Sequence, residues 1–465
     1  MFQMLPDLSE SDPTGRIPLY TSRDGQIGPD PVALAGERPR FSLSKLALYL
    51  APPALVGEFL PDCPWAGVSR LRPSVPWPSS AQAMSDDLLM QFRQSVATCM
   101  GDASVVAVAL SGGLDSTAVL FHAHELCQRE GRQLLALTID LIDDAGRSCA
   151  VVAQQLIDAL GLSCELHVIN KDGIDPSLPL PEPYWHPAGP RNDAMPRLNR
   201  AVADVAATAG AEVLLSGDGA DELLGAVRYL FPQLLRAQKW HAASSYLRDL
   251  TAGGGKRRLA TEGLAIMASL LPASWSSWLY WATNWPELCT IQAPLVLAER
   301  FRPHVEAWTK SWVQQILTFH AKHHRSWAVA DAWDAVFPSD GIPPAGKIPE
   351  RDPFMTPSFT QYAMSLPLIE RYSAHLPTPY HRSKALVVQL YPLRARAALP
   401  PAKQLFSHSF ESYQQRYLNV ERCIAYGLIS KEYLDTCRDA SLLRTIQAIE
   451  QWIIGAEQKG ATATE

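Results

Sequence analysis

Val105-Val106-Ala107-Val108-Ala109-Leu110-Ser111-Gly112-Gly113-Leu114-Asp115-Ser116-Thr117 decides how the rest of this chain is read. The apolar, β-branched half predicts a strand that ends near Leu110, and a helix is expected to begin near Ser116. Between them, Gly112 and Gly113 allow backbone geometry that side chains resist, so successive N–H groups can point inward as an anion nest. The helix adds its positive N-terminal end. Ser111, Ser116 and Thr117 supply hydroxyls suited to phosphate oxygens, and Asp115 can hold Mg²⁺ across them. No Lys follows as in a GxxxxGK[ST] loop, so this is not a Walker A turn. An ordinary glycine-containing turn is the plain competitor, and the full string is more specific than a lone Gly-Gly.

Leu215-Ser216-Gly217-Asp218-Gly219-Ala220-Asp221-Glu222-Leu223-Leu224-Gly225 repeats the pattern further on, with three carboxylates in five residues. Like charges this close repel unless a cation lies among them. Gly217 is a second candidate for close backbone approach to a nucleotide, and Asp221 for metal. An acidic helix cap is the structural alternative. Asp115 and Asp221 are the candidate Mg²⁺ ligands.

Around these turns the pattern alternates. Strands are expected over 105–110, 134–140, 164–169 and 212–216, and helices over 84–100, 116–129, 146–160 and 196–209. That rhythm predicts an α/β fold with a parallel sheet flanked by helices, its ligand at the carboxyl edge. Residues 1–83 are Pro-rich and short on long periodic runs, and read apart from the unit at 84–465, which turns helical towards its C-terminus.

A chain of 465 residues with 47% apolar and 19% charged content has ample material for large cores. Its net charge of −6 suggests no nucleic-acid surface. Eight cysteines without a CxxC pair are expected to be reduced, and no secretory signal is seen, so the expected location is the cytoplasm. The 24 residues from Gly263 to Pro286 carry no charge. Pro272 and several hydroxyl residues argue against a membrane span. Trp275, Trp278, Trp281 and Trp285 recur there near helical spacing: a core stripe, or a face that docks a peptide or a membrane surface.

SGGLDS followed by SGDGADELLG resembles the synthetase domain of asparagine synthetases, a group that includes β-lactam synthetase, carbapenam synthetase and the lasso-peptide cyclases. The resemblance implies an adenine-nucleotide α-hydrolase-like fold and cleavage of ATP to AMP and pyrophosphate as a carboxylate is activated, followed by attack of an amine. By position Asp115 and Asp221 match the family's Mg²⁺–pyrophosphate aspartates. Asp218 stands where asparagine synthetases carry Glu and β-lactam synthetase carries Tyr, which leaves proton abstraction by Asp218 in doubt. GKIPERDPF (346–354) followed by TQYAMSLP resembles the family's segment beside the ATP site. LPPAKQLF (399–406) resembles its lysine-bearing loop, which makes Lys403 a candidate catalytic cation; Arg191 is a weaker phosphate or substrate candidate. Glutamine-using relatives expose an N-terminal cysteine. Here residue 2 is Phe2 and the first cysteine is Cys63, so the resemblance implies that 1–83 is a truncated remnant of a glutamine amidotransferase-like domain without the nucleophilic cysteine, ahead of an ATP-binding synthetase domain at 84–465.

The order of these segments, closing with GLISKEYL (427–434), is similar to lasso-peptide cyclases of proteobacterial type. That resemblance implies a precursor peptide as substrate, its Asp or Glu side chain joined to its own N-terminal amine, and a leader-peptide protease or recognition protein as partner. The Trp-rich region is then a candidate peptide wall. A small-molecule ligase of the β-lactam or carbapenam synthetase kind, or an ammonia-dependent asparagine synthetase, shares every nucleotide-site motif.

Overall fold

The computed structural model describes residues 19–55, 62–71, 87–170, 185–190, 196–286, 292–323, 326–336, 346–406 and 420–465. Near the N-terminus, strands β1 (Leu19–Ser22), β2 (Ile27–Gly28) and β4 (Val68–Leu71) form a small antiparallel sheet in the order β2-β1-β4. Strand β3 (Arg40–Ser42) pairs instead with β10 (Thr462–Thr464), parallel, from the far end of the chain.

The larger unit is built on a five-stranded parallel sheet: β5 (Val105–Ala109), β6 (Gln133–Asp140), β7 (Glu165–Asn170), β8 (Val213–Leu215) and β9 (Glu350–Arg351), in the order β7-β6-β5-β8-β9. Its strands alternate strictly. Val106 and Val108, Leu134 and Ala136, Val213 and Leu215 enter one core, with helices Leu88–Met100 and Leu114–Glu130. Ala107, Leu135, Leu137 and Leu214 point the other way, onto helix Pro196–Thr208. A period of two with both faces apolar is what a sheet covered on both sides requires. The expected α/β architecture is therefore present.

Local signals set the helices. Leu88, Phe92, Val96 and Cys99 recur every three or four residues and are all buried. Helix Leu114–Glu130 ends at Gly131 and helix Cys149–Leu160 at Gly161, both left-handed caps. One boundary differs from expectation: the helix after β5 begins at Leu114, not near Ser116, because Gly113 takes extended N-cap geometry. Asp115 and Ser116 thus lie inside its first turn.

The order of strands places a switch point between β5 and β8. The chain runs outward from β5 through β6 to β7, then returns to the other side of β5. The turns that follow β5 and β8 leave this edge side by side, where open α/β sheets bind their ligands.

A second core brings together Tyr20, Phe41, Leu46 and Trp65 with Val296, Leu297, Ile446, Ile449 and Trp452. Phe41 meets Tyr426 and Trp452 edge-on, each at 5.8 Å. The tryptophan stripe divides: Trp281 and Trp285 are buried, while Trp275 and Trp278 face outward from helix Ala273–Asn284. Among the described residues no helix is long and apolar enough to cross a membrane.

Candidate functional site

Gly112 has φ +77°, a left-handed conformation, and a Cβ there would lie 2.8 Å from Gln404 Oε1 and 3.1 Å from Val152 Cγ1. The turn it permits folds Ser111 back on the helix: Ser111 N donates to Ser116 Oγ at 3.1 Å, and the two hydroxyls lie 3.0 Å apart. Thr117 Oγ1 donates to Gly113 O at 2.7 Å, and Thr117 is fully buried. In this arrangement the Thr117 hydroxyl is committed to shaping the turn. Two tyrosines brace its far side: Leu114 N donates to Tyr380 Oη at 3.3 Å, and Tyr391 Oη donates to Leu114 O at 2.5 Å.

The turn after β8 packs directly onto the first. A Cβ on Gly217 would lie 2.6 Å from Ser116 N and 2.9 Å from both Asp115 C and Ser116 Cα, so glycine here lets the two motifs touch backbone to backbone. Ser216 Oγ donates to Asp352 Oδ1 at 2.5 Å, tying the turn to the residue after β9, and accepts from Asp218 N at 3.1 Å. Gly219, at φ +88°, caps the short helix Ala220–Leu224, whose first turn carries Asp221 and Glu222. Asp218 is exposed beside them.

Asp115 and Asp221 converge on Lys384. Lys384 Nζ donates to both Asp115 carboxylate oxygens at 2.8 Å and is ion-paired with Asp221 Oδ1. Lys403 Nζ donates to the other Asp221 oxygen at 3.0 Å. The result is a row of alternating charge, Asp115–Lys384–Asp221–Lys403, at the switch point. Lys384 is buried and Lys403 half-exposed. Burial pushes the Asp115 carboxyl above its usual range against the pull of Lys384. Burial acts the same way on Asp221, but Lys384 and Lys403 outweigh it and hold that carboxyl below its usual range. For Lys403, burial favours the neutral amine, and Asp221 reverses this, so the lysine stays charged. Glu222 is raised by burial and by the Asp221 and Asp218 charges.

The lysine loop is anchored at both ends. His381, on the helix that leads to Lys384, contacts Pro400 O at 2.8 Å. Beyond Lys403, Gln404 Nε2 donates to Asp143 Oδ2 at 3.3 Å and Leu405 O accepts from Asp144 N at 2.7 Å.

Sequence reasoning therefore brought Ser111, Gly112, Gly113, Asp115, Ser116, Thr117, Gly217, Asp218, Asp221 and Lys403 to one edge, and the structure places them there. Arg191 lies outside the described residues. Lys384, Tyr380, Gln404 and Asp352 were missed. The one signal for Lys384 was a lysine set directly against the apolar run Ala385-Leu386-Val387-Val388.

Among the described residues no three His, Cys, Asp or Glu side chains form a metal-binding group. Mg²⁺ does not need one: it keeps several waters and takes one or two carboxylates plus phosphate oxygens. Asp115 and Asp221 supply such a hard, all-oxygen pair. The Lys384 ammonium between them marks a position where a cation is electrostatically favoured. The residues fit the ion.

No curated protein matches the chain. Among solved structures it is similar to the U34-tRNA thiolase NcsA from Methanococcus maripaludis with its [4Fe-4S] cluster. That similarity runs at 14% identity over 50% of this chain and 80% of that chain, with a TM-score of 0.22, and carries no argument about chemistry. The Asparagine synthase family matches residues 87–395, which take in the whole charged row except Lys403. That stretch is about two thirds of the sequence. With the switch-point crevice and its paired aspartates in place, the match shows that this chain belongs to the asparagine synthase family of ATP-using amide ligases.

Proposed function

We propose that this site adenylates a carboxylate with ATP, releasing pyrophosphate, and transfers the acyl group to an amine with release of AMP. The substrate is a lasso-type precursor peptide, whose Asp or Glu side chain is closed onto its own N-terminal amine. The observation that carries the adenylating half is the Asp115–Lys384–Asp221–Lys403 row beside a glycine-built turn.

Asp115 and Asp221 would hold Mg²⁺, which when bound neutralises phosphate charge as it builds on the leaving pyrophosphate. The turn residues Ser111, Gly112, Gly113, Ser116 and Gly217 shape the cradle for the phosphates. Lys384 and Lys403, paired to carboxylates in the structure, are positioned to turn their charge onto phosphate. Lys403 is half-exposed on a loop, and its raised pKa keeps it cationic. It stabilises negative charge on the acyl oxygen in the transition state. Asp218, exposed at the rim, is the candidate to take a proton from the attacking amine.

The peptide half rests on the order of segments 346–354, 399–406 and 427–434 and their resemblance to lasso-peptide cyclases. The state of Cys63 supports an amine from the substrate rather than from glutamine. That thiol is buried, and burial pushes it up to about 12, opposite to an activated nucleophile. Holding carboxylate and amine of one peptide in one crevice makes amide closure effectively unimolecular. The test is incubation with ATP, Mg²⁺ and a peptide bearing N-terminal Gly and a downstream Asp or Glu. A peptide lighter by one water, with AMP and pyrophosphate in equal amount, supports the proposal. Aspartate plus ammonia sufficing, or a β-amino acid cyclising while no peptide loses water, would sink the peptide half.

A further inference from the structure

The turn between helices Trp240–Ala268 and Ala273–Asn284 lies outside the charged row and exposes an apolar tip. Seven consecutive residues, 269–275, are exposed. Leu270, at 84%, is the most exposed large apolar side chain among the described residues, and near it in sequence lie Met267 at 66% and Trp275 at 65%. Ile266, Leu271 and Trp278 join them, so six exposed large apolar side chains fall within 13 residues. Apolar exposure this concentrated marks a contact surface rather than scatter.

Two further observations say what covers it. The first is the backbone. Ser269 N donates to Ala265 O at 3.2 Å, Leu270 N to Met267 O at 3.0 Å and Leu271 N to Ala268 O at 3.1 Å, while Pro272 has no N–H to satisfy. The Ser269 hydroxyl donates to Ile266 O at 2.6 Å. The N–H groups of the apolar stretch 269–271 are thus spent internally, which favours entry of these residues into an acyl layer. The second is charge. From residue 251 to 286 the sole acidic residue is Glu262, and it is buried. Arg257 and Arg258 are exposed on the first helix, about 12 Å of helix before Ile266. Helix Arg302–His323 runs antiparallel to the second, with Ser277 Oγ donating to Leu317 O at 2.9 Å and Trp281 against Trp312 at 5.6 Å. That register brings exposed Lys322 and His323 beside Ala273.

We infer that this helical hairpin docks tip-first on an anionic phospholipid surface. Leu270, Leu271, Met267 and Trp275 enter the acyl boundary, and Arg257, Arg258 and Lys322 lie at headgroup depth. Apolar tip, tryptophan and a cationic collar are what binding in the interface plane uses. Docking of this kind leaves the nucleotide site untouched, so it stands or falls separately from the proposed reaction.

The experiment is co-sedimentation of the full chain with vesicles of phosphatidylcholine alone and with phosphatidylglycerol added. The parent chain should sediment with the anionic vesicles. Leu270→Glu with Met267→Glu should lose roughly tenfold or more in partitioning. Arg257→Glu with Arg258→Glu should lose at least fivefold per charge, as a rough figure. Thermal melting and AMP formation should be unchanged in both, since all four side chains are exposed. No binding to anionic vesicles overturns the inference, as does equal binding to uncharged ones or binding unaffected by the tip substitutions. Sedimentation velocity supplies one more overturning result: self-association or capture of the precursor peptide that the tip substitutions abolish, without vesicle binding.

Discussion

Lys384 holds two carboxylates that burial alone would not leave charged together. Replacing it by methionine removes the cation and keeps most of the volume. At neutral pH this variant should lose about 2 kcal/mol, below the figure for a fully buried pair because Asp221 is partly exposed. The sign of its pH dependence follows. Asp221, held below its usual range by the lysines, contributes stability at neutral pH that fades as acid protonates it. Asp115, raised by burial, works the other way and favours the folded state once protonated. Without Lys384 the Asp115 carboxyl loses its main counter-charge and follows burial further upward, while Asp221 keeps Lys403, so the deficit should shrink as acid protonates Asp115. Melting temperature against pH reads this directly; a deficit constant as pH falls would contradict the shared-cation account. Lys403 predicts a different signature. Lys403→Met should lower kcat on the order of 10²-fold, with KM for ATP changed much less, because its charge matters most in the transition state.

Strands and turns carry the next scale. The two nucleotide turns meet through Gly217, where any Cβ strikes backbone of the helix after β5. Gly217→Ala should therefore force the turns apart, costing about 1–3 kcal/mol of stability and at least tenfold in AMP formation. Wild-type turnover in that variant would show the close approach to be incidental. This level was the most legible in the sequence. β5 to β8 and their helices follow from hydrophobic periods of two and 3.6, and the turns from glycine chemistry. The helix start at Leu114 was missed by two residues, because Gly113 is an N-cap without a side-chain signature. β9 is two residues long, Glu350–Arg351, and no period can show in so short a strand. Lys384 escaped for a related reason: a single lysine near a helix start is usually a solvated one, and only the fold brings it between Asp115 and Asp221.

Across the whole molecule, residues near both ends of the sequence share the second core. Phe41 contacts Trp452 and Tyr426, and β3 pairs with β10. Local patterns cannot announce contacts across some four hundred residues of chain, and the Pro-rich composition of 1–83 suggested separateness. Phe41→Ala should cost about 3–5 kcal/mol, seen as a lower urea midpoint. A neutral effect would mean that the core formed by both ends contributes little to the fold. The central claim, however, concerns the switch-point crevice: paired aspartates and lysines arranged to cut ATP between its α and β phosphates. Its most direct measurement is the fate of labelled ATP in the presence of a carboxylate substrate. The account predicts AMP and pyrophosphate in equal amounts, lost in Asp115→Asn and Asp221→Asn; ADP and inorganic phosphate as the products would contradict it.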